Sequence, residues 1–301
     1  MKKNILTLIA IFIFNFGYSQ DVMEENKYKR NNKYERNHHF EREVVVLTPI
    51  READVMWSRK IWREIDLRQK INHPFYYPQE GEAETVDRDN LFKVLYDAAT
   101  AGKGEMNIWA FNANNDDEFQ EKLEIPQLIK LIEGTEFEVF EKDQYGDDSL
   151  DVNGQLVLKG IERRNSLNQR DIKKWRVKEE WFFDKQRSVM DVRIIGLCPI
   201  ADDRDEDGFL TGQPRPICWF YFPQCRTILK NAPAFNLVKN EAENKTYEDI
   251  FMKRMFASTI VKEGNVYDRE INQYKIGLDA LLEAERIKEE IFNIEHDLWE
   301  Y

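Results

Sequence analysis

The sequence predicts an α+β fold: an antiparallel sheet core with flanking helices and a long C-terminal helix. Three observations predict it. Trp175 to Phe183 and Val189 to Leu197, rich in aromatic and β-branched residues, bracket Asp184-Lys185-Gln186-Arg187-Ser188 as a hairpin. The run Ile217-Cys218-Trp219-Phe220-Tyr221-Phe222 lies between Pro216 and Pro223 and reads as a third strand, buried on both faces. Ile271, Tyr274, Leu278, Leu281, Ala284, Ile287, Ile291, Ile294 and Leu298 recur at gaps of three and four, which is one helical stripe.

The chain opens differently from the rest. Met1-Lys2-Lys3 is positive, Ile5 to Phe16 is apolar, and Gly17-Tyr18-Ser19 supplies small residues, so residues 1–19 read as a cleavable signal peptide. The apolar run is too short to span a bilayer as a helix. Residues 20–43 are rich in Asn, Lys, Arg and Glu and read as a flexible polar arm, either a plain leader or a segment that orders on binding. Residues 44–301 then form the α+β domain, ending in a helical tail over about 246–300.

Order is expected from Val44-Val45-Val46-Leu47 onward. Trp57, Ile61 and Ile65, four apart with Trp62 beside them, predict a helix over 54–66. Asn72 to Pro78, with Phe75, Tyr76 and Tyr77, reads as an extended aromatic turn. Asp89 to Ala101 predicts a helix, Met106 to Phe111 a strand, Ile125 to Ile132 a proline-opened helix and Glu136 to Phe140 a strand. The stretch after Asp148 up to Lys174 carries no clear period. In the tail, Thr246 caps a helix whose first turn is acidic, and Asp268 is the expected cap of the last helix. The strand at Ile217 to Phe222 is read as the joint that fixes this tail to the sheet.

The formal net charge is -12 over 301 residues, and loss of Lys2 and Lys3 with the leader would make it -14. An acidic chain lacks the cationic field that general nucleic-acid binding needs, so no nucleic-acid partner is expected. Three cysteines, Cys198, Cys218 and Cys225, leave two readings open: a disulfide between Cys198 and Cys218, or buried free thiols. Asp203, Asp205, Asp207 and Gly208 match the opening of a calcium loop, with alternating hard oxygen donors and a turn glycine. The position that should supply a bidentate Glu is Pro214. A weak calcium site and a solvated acidic hairpin tip both remain open, and no other cofactor is expected. Asp116-Asp117 and Asp147-Asp148 are the carboxylate pairs a hydrolase would use, but nothing fixes their separation.

Several blocks together resemble one family. Met56-Trp57-Ser58-Arg59-Lys60-Ile61-Trp62-Arg63-Glu64-Ile65-Asp66 is followed by Pro74-Phe75-Tyr76-Tyr77-Pro78 and Trp219-Phe220-Tyr221-Phe222-Pro223 with Arg226. Tyr247-Glu248-Asp249-Ile250-Phe251 and Glu295-His296-Asp297-Leu298-Trp299-Glu300-Tyr301 complete the series. In this order they resemble the GldN family, called PorN in non-gliding bacteria, of the gliding and type IX secretion machinery of Bacteroidetes.

The resemblance implies a non-enzymatic structural subunit, exported to the periplasm. It implies assembly into a ring under the outer membrane with a GldK- or PorK-like lipoprotein, and contact with inner-membrane motor proteins. Trp57, Trp62, Tyr76, Tyr77, Trp219, Tyr221, Arg226, His296 and Trp299 become candidate structural or interface residues. A calcium-dependent adhesion module and a carboxylate-dependent hydrolase are the alternatives.

Overall fold

The computed structural model describes residues 43–79, 88–101, 108–113, 117–140, 158–164, 167–204, 210–235 and 245–297. Among them the long hairpin is the centre of the molecule: β5 (Ile172–Asp184) turns through 185–188 into β6 (Val189–Arg204). On one side β5 pairs with β1 (Val55–Asp66), and β1 pairs with β9 (Thr259–Glu263). On the other, β6 pairs with β7 (Leu210–Pro216) and β8 (Cys218–Tyr221), and β8 pairs with β2 (Ala110–Asn112). The pairings are antiparallel, giving a seven-stranded sheet of order β2-β8-β6-β5-β1-β9 with β7 beside β6. A separate ribbon joins β3 (Thr135–Phe140) to β4 (Leu158–Arg164). The α+β class is therefore as the sequence predicts.

Segment 54–66 is a strand and not a helix. Residues four apart share a face in either conformation, because four is a multiple of the strand period of two and close to the helical 3.6. Trp57, Ile61 and Ile65 thus lie on one face of β1, while Trp62 lies on the other and packs against Cys198 and Trp219. Bonded on both edges, β1 uses its backbone groups between β5 and β9.

Helices cover that first face in two groups. α1 (His73–Tyr76), α2 (Leu91–Thr100), α3 (Ile125–Glu133), α4 (Phe222–Leu229) and α5 (Tyr247–Met252) pack around Ile65, Trp175, Val177, Leu197 and Phe220. Phe251 is the hub, with its ring 5.1 Å from Phe75 and 5.5 Å from Phe222. Buried Tyr247 donates its hydroxyl to the carbonyls of Pro74 and Asp89, at 3.0 and 2.8 Å, tying α5 to α1 and to the start of α2. The caps follow the sequence: the Asn90 side chain accepts from the Lys93 amide, and Thr246 and Asp249 form a capping box.

The second group is α6 (Leu278–Asp297) alone. Ala280, Ala284, Ile287 and Ile291 pack on Ile61, Ile260 and Ile271, beside Trp57 and Trp181. On the opposite face of the sheet, Trp62, Phe111, Cys198, Trp219 and Val261 make a third cluster under Phe119. The Phe119 ring rests on Gly196, where a Cβ would stand 2.3 Å from it, so any larger residue there would push the ring aside.

Four further expectations change. The aromatic turn at 72–78 is a short helix, α1, and it is followed by a cis Tyr77-Pro78 peptide. The tail contains strand β9, formed by the β-branched pair Ile260-Val261, so it is not wholly helical. Its last helix begins at Leu278, and Ile271 lies in a 3-10 turn (Ile271–Gln273), with Asp268 in a left-handed conformation well before α6. Finally, β8 spans four residues and runs straight into α4, whose first turn holds Pro223. It lies toward the sheet end opposite α6, so it joins the sheet to α4 and, through the core it shares with Tyr247, Ile250 and Phe251, to the first helix of the tail, but not to the terminal helix.

Candidate interaction surfaces

The aromatic residues singled out from the sequence are mainly packing residues. Trp62 and Trp219 are buried in the cluster beneath Phe119, and Tyr221 is half-buried beside them. Trp57 is half-buried against the α6 core, and Tyr76 and Tyr77 stand edge to face at 5.0 Å beside α1. These contacts are structural, and Trp57, Tyr76, Tyr77 and Tyr221 keep part of their surface exposed. His296 is exposed near the end of α6, and Trp299 lies outside the described residues.

Arg226 is also internal. Its guanidinium pairs with Glu248 at 2.8 Å, joining α4 to α5, and donates to the carbonyl of Val45. Arg193 of β6 donates to the carbonyl of Thr48 at 3.0 Å. The two arginines thereby hold segment 45–48 against the β6 and α4 side of the domain.

Between the two helix-covered cores lies a buried ion cluster. Glu179 of β5, with an exposure of 0%, pairs with Arg63 of β1 at 3.2 Å and with Arg254, after α5, at 2.8 Å. The Trp181 indole donates to it at 3.0 Å, and both guanidinium groups lie over the Trp181 ring. Burial holds the Arg63 pKa below its ordinary value, with Glu179 opposing. Removing one member of such a cluster strands a buried charge, which costs about 3–5 kcal/mol.

A second network stands on the other face. Glu64 bonds Lys174 at 2.8 Å and Arg176 at 2.7 Å, and Arg176 reaches Glu270 at 2.7 Å. Burial opposes the Glu64 charge, but Arg176 and Lys174 outweigh it and hold the pKa below the ordinary 4.5. Lys178 lies over Trp62 and pairs with Asp117 at 3.3 Å, and burial lowers its pKa against the pull of Asp117. These charges are paired with one another.

The cysteines are free thiols and do not form the disulfide between Cys198 and Cys218. Leu197 pairs with Phe220, so Cys198 falls on the Trp219 face, whereas Cys218 falls on the Phe220 face beside Cys225. Side chains on opposite faces of a sheet do not reach disulfide geometry. Burial pushes the Cys198 thiol up to about 12 and also raises Cys218 and Cys225, so all three remain protonated at neutral pH.

Of the acidic loop, Asp203 pairs with Arg215 at 3.6 Å, and Asp205 and Asp207 lie outside the described residues. Among the described residues no group of three His, Cys, Asp or Glu is placed to hold a metal. Of the hydrolase candidates, Asp117 is the partner of Lys178, and Asp116, Asp147 and Asp148 lie outside the described residues.

Apolar surface is instead exposed on α6. Leu278, Leu282, Glu285, Glu289 and Phe292 follow gaps of four and three and share one face, opposite Ala280, Ala284, Ile287 and Ile291. Leu278, Leu282 and Phe292 are 71%, 60% and 65% exposed. The sequence could not assign these sides, because Leu278 and Leu281 belong to the same predicted stripe as Ile287 and Ile291. The packed phase is set by Ile61 and Ile260, which come from elsewhere in the chain. A second exposed aromatic, Trp109 at 42%, borders a groove of about 460 Å³ between α2, β2 and α3, with the Lys122 ammonium 3.7 Å from its ring centre.

The family model described as gliding motility associated protein GldN matches residues 50–300. No curated protein gives a significant match. The chain belongs to the GldN family, and the match takes in the sheet, the helices on its first face and the whole of α6.

Proposed function

We propose, from membership in a gliding-motility family, that this chain is a non-enzymatic structural subunit of the gliding and type IX secretion machinery. It is exported by a signal peptide cleaved after Ser19 and works in the periplasm at the inner face of the outer membrane. There it self-associates into a ring with a GldK- or PorK-like lipoprotein, which supplies the membrane anchor, and it meets inner-membrane motor proteins of the same system. It transmits load by geometry and turns over no ligand.

The observation that carries this reading is the family match across residues 50–300. The structure supports it in kind. The described deep charges are neutralised in fixed pairs, while α6 carries a second apolar face of the sort used between subunits. The sedimentation size of the purified chain, alone and with the membrane lipoprotein, is the test. A particle many times the mass of one chain is expected in the mixture, and a monomer under both conditions would sink the proposal.

A further inference from the structure

The outward face of α6 is left uncovered among the described residues. Its apolar side chains span Leu278 to Phe292, which is about 21 Å of helix. α6 holds seven acidic and two basic residues, a net of -5. Both bases are paired within the helix, Arg286 with Glu283 and Glu290, and Lys288 with Glu285. Arg59 of β1 adds a pair to Glu290 at 2.9 Å, fixing the orientation of the helix on the sheet. A second copy of α6 laid on this face would set Glu289 against its own kind beside the Glu285–Lys288 pair, and like charges brought together are unfavourable. The face fits a basic segment bearing aromatic side chains.

The chain carries such a segment. Lys27 to Arg36 holds five basic residues and one acidic, with Tyr28 and Tyr34 among them and Phe40 following. The chain is fixed a few residues downstream of it, where the carbonyls of Val45 and Thr48 are held by Arg226 and Arg193. From β6 to β9 is three strand spacings, about 14 Å. The eight residues from Arg42 back to Tyr34 span up to about 26 Å when extended, and the fourteen back to Tyr28 about 46 Å. Tethered at that distance, the segment meets α6 of its own chain at a millimolar effective concentration.

We propose that residues 27–40 seat on the outward face of α6 in the same chain, aromatic rings on Leu278, Leu282 and Phe292 and cations beside Glu285 and Glu289. The inference goes beyond assembly and is read on the lone chain; a partner that uses the same face would have to displace the arm.

Cysteine bridging tests it. The three native thiols are buried, so added surface thiols react selectively. Tyr34→Cys is combined with Leu282→Cys in the full chain, and in a second variant with Lys130→Cys on α3. Mild oxidation at low salt should close an intrachain bridge in the first variant at least about tenfold faster than in the second. That advantage should collapse near 1 M salt, where screening shortens to about 3 Å. It should also collapse when Glu285→Lys and Glu289→Lys are added.

Equal bridging to both sites would mean an arm with no seat and would overturn the proposal. So would a bridge that forms only between chains, which would assign the face to an exchanged arm. A salt-insensitive bridge would remove the charge argument on which the choice of occupant rests.

Discussion

The two cores on the first face of the sheet are built from one set of strands but differ in completeness. Around Phe251, five short helices enclose β1, β5, β6 and β8, and large side chains such as Trp175, Phe75 and Tyr247 are fully buried. Around Ile287, one long helix lies on β1 and β9 through two alanines and two isoleucines, leaving leucines and a phenylalanine outward. The first core is closed by its own chain. The second is a helix laid down with apolar surface to spare, and the Glu179 ion cluster marks the seam between them.

The contrast can be broken by truncating each core. Phe251→Ala should cost about 3–5 kcal/mol in urea unfolding and lower the stability of the whole domain. Ile287→Ala should cost about 2–5 kcal/mol, with amide exchange rising first in α6 and β9. Uniform exchange changes in both variants would mean the two cores form one cooperative unit.

A smaller effect comes from the reverse face. The folded Glu64 pKa lies below 4.5, so its stabilising contribution is complete above that pH and is lost as pH falls from 4.5 through the folded value. Unfolding midpoints measured from pH 7 to pH 3 should therefore fall more steeply for the native chain than for Glu64→Gln. Parallel curves would show that Arg176 and Lys174 do not act through this carboxylate. Smallest of all, Leu282→Ser should change monomer stability by no more than about 0.5 kcal/mol; a larger loss would place Leu282 in the core and close the contrast.

Much of this was legible in the residues. The hairpin β5–β6, helices α2 and α3 and the Thr246 cap follow from period, proline and capping chemistry, all of which are local. β1 reads as a helix because Trp57, Ile61 and Ile65 satisfy both periods; Trp62, its side decided only by β6 and β8, breaks the tie. Strand β7 was hidden by Pro214 and Pro216, which suit an edge beside β6 better than a ladder interior. Strand β4 was hidden by charge. β9 did carry a signal in Thr259-Ile260-Val261, overshadowed by the helical patterns on either side. The candidate surface was the least legible feature, because inward and outward apolar residues of α6 differ only in what lies beneath them.

The hold on residues 45–48 has a consequence of another kind. Arg226 and Arg193 grip carbonyl oxygens, which every residue type possesses. The place of segment 45–48 is therefore written in β6 and α4, while the side chains of residues 45–48 can drift without losing these two bonds. Substitution at either arginine would free one end of segment 45–48, whereas substitution at Val45 or Thr48 leaves both acceptor carbonyls in place.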